Sequence, residues 1–434
     1  MITMNCKKWI VALALGLAIP LAGAAEKIEH WVAPSGARVF FVENHNLPIV
    51  DVNVDFAAGT AFDPQGKAGT ASLTHAMLDL GVQGMDETDI ANRLADLGAV
   101  LSGGVDMDRA SLNLRTLSAS DKRAAALEVL RAVMTTPQFP ADVLEREKAR
   151  VVAALKDAMT RPDAIASRNF WAAMYPGHAY GVHAEPEKVA ALNRDEINAF
   201  YRRHFTATRA VVTIVGDVTR AEADALVQQL TLGLPASDEG AKLGVPVMPK
   251  AAERRIAHPS AQAHLLLGLP ALKRGDPDFY ALMVGNYSLG AGGFVSRLMK
   301  EVREKRGLAY SVYSTFVPLA QPGPFQIGLQ TQKAQAADAL KLTRSVLATF
   351  LAEGPSEAEL LAAKQFLVGS FPLRLDSNRK ILDNVAVIGF YGLPLDYLDR
   401  YTEQIEKVSV ADIKAAFARH VRLESLMTVV VGGE

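Results

Sequence analysis

Cysteine is nearly absent: the 434 residues contain one, Cys6, close to the N-terminus. A chain with a single thiol forms no internal disulfide. Without its N-terminal segment it has neither a thiol nucleophile nor a thiolate metal ligand. An excess of one charge is absent as well. Lys and Arg number 46 against 47 Asp and Glu, a formal net charge of −1, so nothing suggests a surface for nucleic acid or an anionic membrane. There is no low-complexity tract. The apolar run over residues 9–21 is too short to cross a bilayer comfortably and is interrupted by Pro20. What is there is a globular composition, 50% hydrophobic and 21% charged, with length for two or three domains.

Lys7 and Lys8 precede the apolar run, and Ala22-Gly-Ala24 follows it. A cationic, then apolar, then small-residue order predicts a signal peptide over residues 1–24, cleaved after Ala24. The expected location is the periplasm, with no membrane attachment after cleavage and stability supplied by the core alone.

Further along, Arg38-Val-Phe-Phe-Val42 and Val50-Asp-Val-Asn-Val-Asp-Phe56 read as strands. Helices are expected over residues 68–80, 122–134 and 141–159, with strands over 99–101, 110–117 and 210–215. The second half repeats the first. Residues 195–205, followed by a strand ending at Gly216, are echoed by residues 412–421 and a strand ending at Gly432. Leu112-Asn-Leu-Arg-Thr116 is echoed by Ile327-Gly-Leu-Gln-Thr331. His204 and His420 lie 216 positions apart, Thr116 and Thr331 215. A shift that persists over a whole domain is a duplication. The expected fold is α+β: two homologous domains, residues 25–232 and 254–434, joined by a linker over 233–253. Each is a largely antiparallel sheet with helices packed on one face.

One stretch carries chemistry. After Gly290-Ala-Gly-Gly293, read as a hinge, the chain runs Phe294-Val-Ser-Arg-Leu-Met-Lys-Glu-Val-Arg-Glu-Lys-Arg-Gly-Leu-Ala-Tyr310. Phe294, Leu298, Met299 and Val302 recur at helical spacing, so they are expected to share one buried face. Gly307 stops the helix and residues 308–316 read as a strand. Helix, turn and strand bring Arg303 and Tyr310 to one corner, where a guanidinium and a phenol suit a carbonyl or a carboxylate.

This block resembles the C-terminal half of the insulinase/pitrilysin metallopeptidase family, the inverzincins, and the resemblance extends over nearly all of the mature chain. It implies two similar halves facing each other across a cleft. In the family the first helix of domain one carries H-x-x-E-H, two histidines for zinc and a glutamate that activates water. Here Gly69-Thr-Ala-Ser-Leu-Thr-His-Ala-Met77 stands in its place, with Ser72 and Ala76 at the histidine positions and His75 at the glutamate position. The family's further glutamate ligand falls in Val151-Val-Ala-Ala-Leu155, and Glu145 and Glu147 are up to two turns away.

His75 alone cannot hold a catalytic zinc, which takes three protein ligands. A Ser72, His75 and Asp79 triad lacks an oxyanion hole. His178 and His183 read as loop-packing residues, and His204 and His420 as structural ones. The resemblance implies that Arg303 and Tyr310 contact bound peptide. In two-subunit relatives such as mitochondrial processing peptidase the work is divided between similar chains. The expectation is a subunit that binds no metal itself and is not catalytic alone. It would pair with a zinc-bearing homologous peptidase subunit and act with it on peptide substrates. The alternatives are a non-catalytic scaffold or binding protein of this fold, and an active hydrolase with a relocated metal site.

Overall fold

A computed structural model describes residues 27–235 and 242–432. The expected signal peptide and part of the expected linker lie outside the described residues. No helix among the described residues is long and apolar enough to cross a membrane.

Alternation sets the first sheet. Its strands are β1 (Glu29–Val32), β2 (Arg38–Glu43), β3 (Ile49–Phe56), β4 (Val100–Val105), β5 (Ala110–Leu117) and β6 (Val211–Gly216), in the order β1-β2-β6-β3-β5-β4. Along β3, Val50, Val52, Val54 and Phe56 enter a core shared with helices of the same half. Asp51, Asn53 and Asp55 alternate with them, so they sit on the opposite face, also buried. The second sheet comprises β7 (Ala252–Ile256), β8 (Gln262–Leu272), β9 (Ser311–Phe316), β10 (Gly323–Gln332) and β11 (Met427–Val431), ordered β9-β10-β8-β11-β7. That is the order β4-β5-β3-β6-β2 of the first. The single parallel pair in each sheet, β2 with β6 and β7 with β11, also corresponds. The duplication therefore survives in topology and register. His204 and His420 hold equivalent places, each with Nδ1 at the carbonyl of a residue at a strand's end, Ala57 at 3.1 Å and Ala271 at 2.9 Å.

Each half packs its own helices on one face of its sheet. The other face is covered by a helix from the opposite half. Pro162–Met174 crosses onto β8 and β11, and Asn378–Tyr391 crosses onto β2, β3 and β6. The polar Asp51, Asn53 and Asp55 thus lie under a helix and are paired internally. Asp51 forks with Arg115 at 2.7 and 3.0 Å, and Asp55 accepts from Asn53 Nδ2 and Ser111 Oγ. Two glycines allow the close approach. A Cβ on Gly268 would lie 2.8 Å from Phe170 Cζ, and one on Gly389 2.6 Å from the Phe40 ring.

The crossing helices end in equivalent tyrosines, Tyr175 and Tyr391, 216 positions apart. Each phenol reaches the other half. Tyr175 donates to Pro322 O at 3.0 Å, and Tyr391 donates to Asp108 Oδ2 at 2.9 Å. Asp108 is 1% exposed and also accepts from Tyr180 Oη at 2.6 Å and Ala320 N at 2.8 Å. Burial and the Asp108 charge both push the Tyr180 and Tyr391 phenols up, so they stay neutral donors. The β4–β5 and β9–β10 hairpins meet at this carboxylate, which clasps the halves.

Candidate functional site

Arg303 and Tyr310 come together as the spacing requires, but on a less regular frame. Residues Met299–Glu304 form a widened turn, with Lys305 N bonded to Lys300 O five residues back at 3.0 Å. Such π turns are frequent at functional sites. Gly307, at φ 61°, ends the helix; its N–H returns to Arg303 O at 2.9 Å and that of Leu308 to Val302 O at 2.9 Å. Tyr310 is the residue before β9 and is 81% exposed.

Leu298, Met299 and Val302 are buried as expected, but Phe294 is not: it is 62% exposed. The reason is local. Ser296 is extended at ψ 154°, so Gly293–Val295 is a separate short turn and Phe294 leaves the helical face. Its ring instead lies 4.7 Å from the Arg303 guanidinium carbon, and the Tyr310 ring lies 5.0 Å from the same atom. Arg303 is half-buried between them and has no ion pair among the described residues. Gly290, at the start of the expected hinge, has a packing role: a Cβ there would lie 2.4 Å from Ser314 Oγ and 2.5 Å from Ser314 N.

Arg297 anchors the segment by forking onto Glu359 at 2.9 and 2.7 Å. Burial works against the Glu359 charge, yet Arg297 and the Ser356 capping box outweigh it and hold the carboxyl at about 2. A depressed folded value adds stability that is present above the ordinary glutamate value near 4.3 and is lost as pH falls towards about 2. The side chain is 21% exposed, so about 1–2 kcal/mol is expected rather than the full linkage figure. Glu359→Gln should unfold at lower urea at pH 7 and lose less stability than wild type between pH 5 and 2.5. Parallel pH profiles for the two proteins would contradict this.

In the first half, Ser72, His75 and Ala76 lie on the helix Thr70–Ala76. Ser72 is exposed, and His75 and Ala76 are half-buried. His75 Nε2 is engaged by Ser111 O at 2.9 Å, and burial lowers its basicity. Burial raises Asp79, with Glu147 and Glu87 adding to the effect. Among the described residues no hydrogen bond joins Ser72, His75 and Asp79. Glu147 is 7% exposed but pairs with Arg150 at 2.7 Å and Arg146 at 3.3 Å, and Glu145 pairs with Lys148 at 2.8 Å. These donors do not fit a zinc ion: the one imidazole is engaged, Glu145 and Glu147 pair with cations, and among the described residues no three ligand atoms converge around His75. Ligand atoms of Asp276, Asp278 and His420 do converge, in the second half. Asp278 there forks with Arg419 at 2.6 and 2.8 Å and accepts from His420 at 2.9 Å, so the group reads as an ion-pair cluster.

His178 holds its own loop, accepting from Tyr180 N at 3.1 Å and donating to Gly244 O at 2.8 Å. The clasp tyrosines and Asp108 escaped the sequence reading, although Tyr175 and Tyr391 carry the duplication shift and could have been found by it. Beside the helix Thr70–Ala76 runs β4, one of the two edge strands of the first sheet, with most of its residues exposed. Such an edge can pair with an extended peptide.

Residues 38–186 match the family Insulinase (Peptidase family M16), and residues 191–367 match the Peptidase M16 inactive domain. The chain is 26% identical to a non-peptidase homolog, YmxG, of Helicobacter pylori over 99% of each chain. It is 38% identical to a peptidase M16 inactive domain from Pseudomonas fluorescens, covering 94% of this chain and 98% of that one, with a TM-score of 0.90. The fold also matches the periplasmic protease PqqL of Escherichia coli, at 17% identity and a TM-score of 0.81, over 95% of this chain and 46% of that one. The chain is therefore a peptidase-like member of the insulinase family, M16.

Proposed function

We propose that this chain is the zinc-free subunit of a periplasmic, heterodimeric metallopeptidase, with zinc carried by a homologous partner. Arg303 and Tyr310 hold the backbone of a peptide substrate and supply donors to the oxyanion that develops in the partner's site. The observation that carries this reading is the asymmetry between the halves. Arg303 keeps its donors free of any carboxylate among the described residues, beside an exposed phenol. The helix with Ser72, His75 and Ala76 offers only one imidazole, already bonded to Ser111 O. The exposed edge β4 gives the peptide a strand to join. The cationic, apolar and small-residue order over residues 7–24 supports export.

Reconstitution tests it. The mature chain alone should leave a panel of unstructured peptides intact. With the zinc-bearing homologue from the same organism it should form a two-chain complex that cleaves them. Hydrolysis by the chain alone, or no gain over the homologue alone, would contradict the proposal.

A further inference from the structure

We infer that Phe294, Arg303 and Tyr310 form a clamp that reads a carboxylate on the bound peptide, with Phe294 positioning the guanidinium. This rests on the peptide-binding role proposed above and adds the class of peptide. Phe294 is a large apolar side chain left 62% exposed, so its ring is available to a neighbour at the surface rather than to the core. What it touches is Arg303, at 4.7 Å, while Tyr310 touches the same guanidinium at 5.0 Å. Cation–π contact with two rings restrains an otherwise flexible side chain and leaves its N–H periphery to a ligand.

The surrounding charge selects that ligand. Residues 294–310 include five cationic side chains and two carboxylates. Arg297 is matched by Glu359, and Glu301 by both Lys305 and Arg306. Lys300 and Arg303 have no ion pair among the described residues, and Glu304, next in sequence, forms none with Arg303. An electropositive surface with an unengaged planar fork suits a planar anion held by two parallel N–H···O bonds. A neutral backbone carbonyl would use one donor and leave the others to a carboxylate of the same peptide. The carboxylate is either an acidic side chain or the peptide's C-terminus.

Four fluorescent peptides of one sequence separate these sources: Glu or Gln at one internal position, each as a C-terminal acid or amide. Their binding to the mature chain alone is read by anisotropy at low and high salt. The clamp predicts about tenfold tighter binding of the acid form in one arm, weakened by salt. Preference in the Glu/Gln arm assigns a side chain, and preference in the acid/amide arm assigns the terminus. Phe294→Ala should remove most of the preference, Phe294→Tyr should retain it, and Arg303→Gln should abolish it, with unchanged melting because Arg303 makes no ion pair among the described residues. Equal or absent binding of all four peptides overturns the clamp. A Phe294→Ala chain that keeps full preference overturns the positioning role. Acid preference together with full cleavage by an Arg303-substituted complex would sink the subunit role and leave the clamp standing.

Discussion

Arg303→Ala combined with Tyr310→Phe should lower peptide cleavage by the assembled complex about 10²-fold while leaving its formation intact. The size follows from what the groups do. Donors aimed at charge that develops in the transition state are worth about 10²–10³ in rate each in established oxyanion holes. In the proposed role these two also position the peptide, so their effects should overlap rather than multiply. Tyr310 is 81% exposed, and Arg303 makes no ion pair among the described residues, so neither removal opens a core cavity. The loss should fall on turnover more than on assembly, measured as kcat at saturating peptide beside sedimentation of the complex. Full turnover by the double variant would remove Arg303 and Tyr310 from the mechanism. Loss of the complex itself would make them interface residues.

Asp108→Ala should cost about 3–5 kcal/mol of stability, measured as a lower urea midpoint. The substitution leaves the Tyr180 and Tyr391 phenols and the Ala320 N–H without their acceptor at a site where Asp108 is 1% exposed. Buried donors stranded this way each cost about 1–3 kcal/mol. Tyr391→Phe removes one donor and leaves the carboxylate two others, so about 1–2 kcal/mol is expected. Because both act at one acceptor, the double variant should lose less than the sum of the two. Asp108 joins hairpins from both halves, so unfolding of the Asp108→Ala protein should also become less cooperative, with near-ultraviolet and far-ultraviolet signals separating. Wild-type stability in Asp108→Ala would mean that the swapped helices alone hold the halves together.

The duplication was legible because it depends on identities at a fixed shift, and the strand orders preserve it. The Arg303/Tyr310 corner was legible because helix, glycine and strand leave the chain little choice. Phe294 was misjudged because periodicity presumes a continuous helix, and the extended Ser296 breaks it. The crossing helices were not legible in their destination. An apolar stripe on Pro162–Met174 says that a face is covered but not by which sheet, and the polar alternation of β3 reads as a solvent face although a helix lies on it. Asp108 looked like one acid among many. Only the fold brings Tyr180, Tyr391 and Ala320 to it.

The proposed subunit role requires above all that this chain need no metal of its own. Elemental analysis of the purified chain without residues 1–24, expressed alone in zinc-supplemented medium without chelator, tests that directly. Well under about 0.1 zinc per chain is expected, because a catalytic zinc takes three protein ligands and among the described residues no three ligand atoms converge near Ser72, His75 and Ala76. One zinc per chain, retained through gel filtration and lost in His75→Ala, would contradict it.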